Sequence, residues 1–301
     1  MTTVHIGQLS DPVGAAGPAG AAGVVTPPRS ARQRAGRFGL YLALAALAAL
    51  FFVPFGWSLI TSLKTLPDSV RFSFWPQHPT LAGYRDALTT FNFGRYALNS
   101  AIVASVITAC NVVLAALGGY AFARLRFPGR DLLFLLVLAS LMIPDQLRLV
   151  PVYQMVSALG LVSTYQGYIL IKLVEATNLF FMRQYFLSLP RDLEEAAKLD
   201  NAGYFKTFWK VMLPLAGPAI ASVVILEFQG IWNEFFWPLL ILQDQSKWTL
   251  PIGIAQFTFA YQTNWPPLMA ASVIAILPVL LLFVLLQRYF IAGATAAAVK
   301  Q

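Results

Sequence analysis

Six side chains inside long apolar runs carry the chemistry open to this sequence: Lys172, Glu175, Glu227, Trp232, Asn233 and Glu234. Ionisable groups are costly in an apolar medium and normally face a partner or a wet cavity. Lys172 and Glu175 stand three residues apart, a spacing at which two side chains on one helix meet. Glu227 and Glu234, seven apart, share a helix face, and Gln229 and Asn233 share another. Three uses fit these types. The groups can line a wet path and hydrogen-bond a polyhydroxy solute, with Trp232 or Trp237 stacking on it. They can be static, with Lys172–Glu175 a fixed ion pair and the glutamates bridging helices or sitting at an interface. They can also relay a proton or ion through Lys172, Glu175 and Glu227.

Signatures of covalent chemistry are missing. The chain has no G-x-x-x-x-G-K-[ST] phosphate loop, no H-E-x-x-H, no G-x-S-x-G and no Cys-x-x-Cys. Its one cysteine, Cys110, lies in an apolar run, and His5 and His78 fall in separate polar regions. These residues offer no catalytic set, metal site or intrachain disulfide.

The elements that must position the six side chains follow from composition. Of 301 residues, 58% are hydrophobic and 11% charged, against about 25% charged in a soluble domain. The net charge of +8 forms no single basic patch, which argues against nucleic acid as a partner. Apolar segments run roughly over 38–63, 97–123, 132–150, 165–187, 213–241 and 267–291. Each meets the ~20 residues needed to cross a bilayer as a helix. Unpaired backbone groups are not tolerated in lipid, so the expectation is an all-α membrane protein with six transmembrane helices.

Residues 1–37, rich in Gly, Ala and Pro with arginines at the end, read as a disordered tail. Residues 38–293 form the transmembrane domain, and 294–301 a second short tail. The first apolar run exceeds the 7–15 residues of a signal-peptide core, which favours an uncleaved anchor. The loop pairs Arg124–Arg130 and Arg191–Lys210, with Arg29–Arg37, outweigh Lys64, Arg71, Arg85, Arg95, Arg148 and Lys247. This bias puts both termini and the 190–212 loop in the cytoplasm. Phe72, Phe74, Trp75, Trp248 and Trp265 suit the opposite interface. Asp145 beside Pro144 caps or breaks the third span, and Gly118–Gly119 suits close helix packing. No internal repeat is visible, unlike carriers built from two repeats.

Between the fourth and fifth runs lies a polar, helix-forming block. Pro190 suits a first helical turn. Asp192 and Glu195 have capping-box spacing and the charge that a helix N-terminus favours. Leu193, Ala196, Ala197 and Asp200 share a face, made shallow by the two alanines so that another backbone can approach. Asn201 to Gly203 should end the helix, since both residue types tolerate the left-handed conformation. Phe205, Phe208 and Trp209 then lie on a second short helix before Pro214. An ordinary connector resting on headgroups is the competing reading.

This block resembles the EAA loop of ATP-binding-cassette (ABC) importer permeases: E-A-A, three residues, G, nine residues, I, one residue, L-P. Glu195-Ala196-Ala197 and Leu213-Pro214 match, Val211 stands for isoleucine, and Asn201 stands for glycine. The likeness runs from about residue 38 onward and is similar to the carbohydrate-uptake branch, on the maltose-type G pattern. It includes Asn99-Ser100, Pro144 to Tyr153, Trp232 to Pro238 and Gln287-Arg288-Tyr289-Phe290; Ala297 stands where a glycine is usual. The resemblance implies a bacterial plasma-membrane permease for a sugar or related polyol, with a cytoplasmic coupling helix between helices 4 and 5. It implies no cofactor on this chain and ATP on two separate ATPase subunits. It also implies a second homologous permease, an extracytoplasmic solute-binding protein and membrane lipid as partners. Glu195, Ala196, Ala197, Asp200, Asn201, Gly203, Leu213 and Pro214 would form the coupling element. An ABC permease for another solute, and an ion-coupled carrier working alone, are the alternatives.

Overall fold

A computed structural model describes residues 31–71, 73–90, 92–258 and 263–298, with side chains given from 38 to 288. The tail at 1–30, Phe72 and the last three residues lie outside the described residues, as do the side chains of Tyr289 and Phe290. The chain divides into two compact units, Met1–Phe52 and Val53–Gln301. In the first, helix α1 (Ala31–Ser62) begins, and its side chains from Phe38 to Phe52 are exposed.

The second unit contains the end of α1 and the other helices. They are α2 (Leu66–Ser69), α3 (Ala82–Thr89), α4 (Phe93–Arg124), α5 (Arg130–Ser140), α6 (Asp145–Ala158), α7 (Tyr165–Ile171) and α8 (Ala176–Ser188). After them come α9 (Asp192–Leu199), α10 (Tyr204–Thr207), α11 (Leu213–Leu215), α12 (Gly217–Trp232), α13 (Phe236–Ile241), α14 (Leu250–Ala255) and α15 (Trp265–Ala298). A π-helical turn, Phe208–Met212, joins α10 to α11. An isolated bridge, Thr258 to Thr263, is the β pairing among the described residues.

Three stretches, Phe38–Ser62, Phe93–Arg124 and Trp265–Arg288, are continuous helices long and apolar enough to cross a membrane. Two more candidate spans are bent pairs: α5 with α6 at 103°, and Tyr204–Leu215 with α12 at 73°. Three of the six apolar runs are therefore interrupted: the first where Asp145 beside Pro144 was expected to cap or break it, the other two where no break was expected. At 132–150 the cause is Pro144, which lacks an N–H and pushes Ile143 out of helical geometry. Asp145 then opens α6. In the 165–187 run the helix stops at Ile171 and restarts at Ala176 with no proline or glycine between. Within 213–241 it breaks at Ala216 and again at Asn233–Phe235.

Helix α4 ends cleanly because Leu125 turns extended and Pro128-Gly129, with Gly129 at φ +79°, cannot continue it. Its C-terminal half packs along α8. A Cβ on Gly119 would come within 2.7 Å of Met182 Cβ and 2.9 Å of the Arg183 nitrogen, so the backbones cross almost in contact. This is the small-residue packing expected for membrane helices, where dispersion rather than water exclusion drives association. One core gathers Tyr96, Tyr168, Trp232 and Trp237; another gathers Tyr120, Met182, Phe186 and Phe208. The leucines at 132, 135, 136, 277, 280 and 281 stay exposed, as an apolar solvent allows.

The loops at the other end are tied down by polar side chains of α4. Asn99 Nδ2 donates to the carbonyls of Ser246 (3.0 Å) and Trp248 (2.9 Å), and Ser100 Oγ accepts from Leu250 N at 2.8 Å. Asp244 stands in this exposed loop with its carboxyl below the usual range, because the Ser246 backbone N–H and hydroxyl donate to it. Lys64, counted from sequence among the loop charges of the less basic side, is fully buried. Its ammonium donates to the Ser73 carbonyl at 2.6 Å and sits 4.8 Å over the Trp57 ring.

The α4–α8 contact predicts that Gly119→Val destabilises the protein by about 1–3 kcal/mol. Gly94→Ala, where nothing lies within 4 Å, should not. Thermal unfolding of the two variants in detergent would check this.

Candidate functional site

The polar block folds into a short hairpin of helices. Its first member, α9, starts with Arg191 in the N-cap position, whose carbonyl accepts from Glu194 N (2.9 Å) and Glu195 N (3.2 Å). The capping box expected from Asp192 and Glu195 is not made, and Pro190 stays outside the helix. Asp192, Glu194 and Glu195 in the first turn and Lys198 in the last still match the helix dipole.

The other end closes on Asn201 at φ +54°. Asn201 N donates to the Lys198 carbonyl (3.0 Å) and Ala202 N to the Ala197 carbonyl (2.9 Å). These two bonds make a Schellman motif, with asparagine in the left-handed position that usually takes glycine. Gly203 has ordinary φ and starts α10.

The two alanines part company. Ala197 is buried against the π-helical turn, whereas Ala196 faces outward with Glu195 and Leu199, the last 88% exposed. Tyr204, Phe205 and Trp209 are exposed nearby, while Phe208 is buried. The shared face read for Ala196 and Ala197 is thus divided, because α9 lies along its own protein on the Ala197 side. Asp200 caps the last turn and is exposed. Leu199 is a surface residue that sequence reasoning missed.

Leu213 and Pro214 do not open the next span. Leu213 N reaches back five residues to the Phe208 carbonyl, and Pro214 has no N–H to give. The wider π turn makes room for the proline ring, which would otherwise strike a carbonyl one turn earlier. The bend comes two residues later. Ala216 N is shared between the carbonyls of Met212 (3.0 Å) and Leu213 (3.1 Å). Pro218 cannot donate to the carbonyl of Pro214, so the helix changes direction there.

Arg124 links this hairpin to the bundle. Its Nη2 donates to the Phe186 and Leu189 carbonyls at the end of α8, each at 2.6 Å. Its Nη1 lies 3.4 Å from Glu194 Oε2, with the arginine side chain 5% exposed. A cleft of about 780 Å³ opens beside the pair, between the 125–130 loop and α9–α10.

The second group of polar residues meets where α7 stops and α8 begins. Asn111 of α4, fully buried, donates from Nδ2 to the Lys172 carbonyl at 2.8 Å and accepts at Oδ1 from Glu175 N at 2.9 Å. One side-chain amide therefore serves both backbone ends that the break sets free, as an apolar surrounding requires. Glu227 of α12 accepts from Asn111 (3.2 Å) and from Asn178 (2.7 Å). Lys172 pairs with Glu175 at 3.2 Å and with Asp145 at 3.6 Å, and Asp145 also pairs with Arg148. Asn111 and Asn178 were not singled out from sequence, though each is an amide inside an apolar run.

Lys172, Glu175 and Glu227 are thus brought together, though across a helix break rather than on one helix. Trp232, Asn233 and Glu234 are not part of that group. Trp232 is buried and its indole donates to the Ala275 carbonyl at 3.0 Å. Asn233 donates to the Gln229 carbonyl. Glu234 accepts from the backbone of Phe236 (2.9 Å) and Trp237 (3.4 Å), opening α13, so it shares no helix face with Glu227. A smaller cleft of about 220 Å³ is lined by Arg148, Lys172, Glu175 and Trp237.

Apolar helices interrupted around buried polar groups, with a polar hairpin between two of them, define the membrane component of a transporter. The chain belongs to the family of binding-protein-dependent transport system inner membrane components, whose profile matches residues 115–295. It is 43% identical over 202 residues to an arabinooligosaccharides transport system permease protein of Halalkalibacterium halodurans, covering 67% of this chain and 72% of that one. It is 34% identical over 269 residues to a trehalose/maltose transport system permease protein of Thermococcus litoralis, covering 88% and 97%. Its fold matches a chain of a bacterial ABC transporter involved in import of the acidic polysaccharide alginate. The TM-score is 0.76 at 24% identity, over 88% of this chain and all of that one.

Replacing Asn111 by leucine should cost at least about 2 kcal/mol, since it strands the Lys172 carbonyl, the Glu175 N–H and one oxygen of Glu227. Thermal unfolding in detergent, with Val112→Leu as a control for size, measures the loss.

Proposed function

We propose that this chain is the permease of a sugar or polyol importer in a bacterial plasma membrane, driven by ATP bound to separate subunits. The observation that carries the reading is the outward face of α9, where Glu195, Ala196 and Leu199 lie exposed beside Tyr204 and Phe205. A helix fixed to its own protein on one side, with Ala196 and Leu199 exposed among charged residues on the other, is fitted to receive a second protein. The family implies an ATPase there, and α9 would be the coupling helix. Asn201 and Gly203 set the turn after it, and Leu213–Pro214 the rigid piece before the bend. Two ATPase subunits, a second permease and a solute-binding protein complete the assembly.

The six-span reading counts the interrupted α7–α8 segment as a crossing alongside the three continuous helices and two bent pairs. With the termini in the cytoplasm, α9 falls on the ATPase side, in accord with the basic-residue bias. The saccharide assignment is supported by relatives named for arabinooligosaccharides and for trehalose and maltose. Arg148, Lys172, Glu175 and Trp237 around the smaller cleft offer hydrogen bonds and an aromatic face, which suit a polyhydroxy solute. An ion relay is less well served, because Lys172 and Glu227 are already held by fixed partners.

Leu199→Asp and Ala196→Trp should lower solute uptake by about tenfold or more and reduce ATPase co-purification, while the protein still reaches the membrane. Normal uptake in both variants would overturn the docking reading. A single cysteine at position 199, in a chain with Cys110 replaced, should react with a membrane-impermeant thiol reagent only when the inner face is exposed. Labelling of intact cells would instead place the hairpin outside.

A further inference from the structure

We propose that Arg124 is the strut by which α9 moves the membrane helices, so that displacement enters through α4 and α8 rather than along the backbone into α12. The proposal rests on the reading of α9 as the ATPase-docking helix and specifies where its motion goes.

Both backbone routes out of α9 are interrupted. Behind it, Leu189 is extended and Pro190 precedes an N-cap with no side-chain bond. Ahead of it lie the left-handed turn at Asn201, a π turn and a 73° bend at Ala216. At the bend the continuous backbone ladder is lost, with Ala216 N shared between two carbonyls and Pro218 unable to donate.

The side-chain route is stiffer. A guanidinium is a planar fork with five donors, and its bonds to charged or carbonyl groups are short and strong. Arg124 uses one nitrogen for two carbonyls of α8 at 2.6 Å, and another forms a longer ion pair with Glu194 of α9 at 3.4 Å, so the hold is firm on α8 and electrostatic on α9. It sits in the last turn of α4 and against the C-terminal end of α8, where the dipoles of both helices favour a cation. Its base is the α4–α8 pair, in near backbone contact at Gly119 and Met182. Thirteen residues up α4, about 20 Å along the axis, is Asn111, which holds the Lys172–Glu175 break. A push on α9 is thereby delivered, as rigid-body motion of α4 and α8, to the lysine and glutamate beside the smaller cleft. Arg124 is a positioning residue, acting through Glu194 and the carbonyls of α8.

The test uses the assembled transporter in proteoliposomes, with ATPase co-purification, ATP hydrolysis and solute import measured on one preparation. Glu194→Gln leaves both carbonyl bonds of Arg124 in place and removes only the charge on its partner. It should keep the ATPase bound and raise the ATP consumed per solute imported by about fivefold or more. Arg124→Ala should raise that ratio further, Arg124→Lys should restore part of it, and the Arg124→Ala/Glu194→Gln pair should be no worse than Arg124→Ala alone. Should Arg124→Ala fail to fold, Glu194→Gln decides alone. An unchanged ratio in Glu194→Gln, with ATPase bound, overturns the strut and leaves the docking reading standing. A wild-type preparation that imports with no ATPase bound overturns both.

Discussion

An apolar surrounding offers no water to a broken helix, and the interior of this protein is arranged around that constraint. Where α7 stops, the Lys172 carbonyl and the Glu175 N–H lose their helical partners. The Asn111 amide has one donor and one acceptor suited to that pair, and it stands opposite on the continuous helix α4. Its remaining contacts draw in Glu227 and Asn178, so three helices and the break are joined by one buried set of hydrogen bonds. Such a set is strong only while every member is satisfied, which favours discrete arrangements over gradual drift.

The breaks elsewhere are made differently. Pro144 and Pro218 remove backbone donors outright and leave bends of 103° and 73°. The first places Asp145 beside Lys172 and the second lies next to the hairpin, and neither is closed by a buried amide as the α7–α8 break is. The molecule thus combines stiff pieces, above all α4 packed on α8, with a few joints whose chemistry differs. A transporter that alternates between two open sides needs both properties.

Much of this was legible in the residues, and the exceptions are instructive. Pro144 beside Asp145 signalled a break, Gly119 signalled a close crossing, and Asn201 took the left-handed conformation its side chain tolerates. Each effect is local, set by one residue and its immediate backbone. The interruption at 172–175 was not readable, because Leu173 and Val174 are competent helix formers and the cause is an asparagine 61 residues away. Ala196 and Ala197 were assigned one face, yet the boundary between inside and outside passes between them, which only the packing of α9 decides. Arg124 was read as a topological charge; its bonds to carbonyls 62 and 65 residues on are invisible to spacing. Pro218, whose missing N–H leaves the Pro214 carbonyl without its helical donor at the bend, was not singled out from sequence.

The π turn at Phe208–Met212 holds one residue more than an α turn would close. Each residue in a helix rotates the remainder of the chain by about 100°, so that surplus residue sets the compass bearing of the exposed aromatic rim relative to α12. A single-codon deletion there would leave composition and apolar pattern almost untouched while turning Trp209 and Phe205 toward a different quarter. Orientation of this surface is therefore written in residue count rather than residue type, and related chains of unequal length in this stretch would present it at different azimuths.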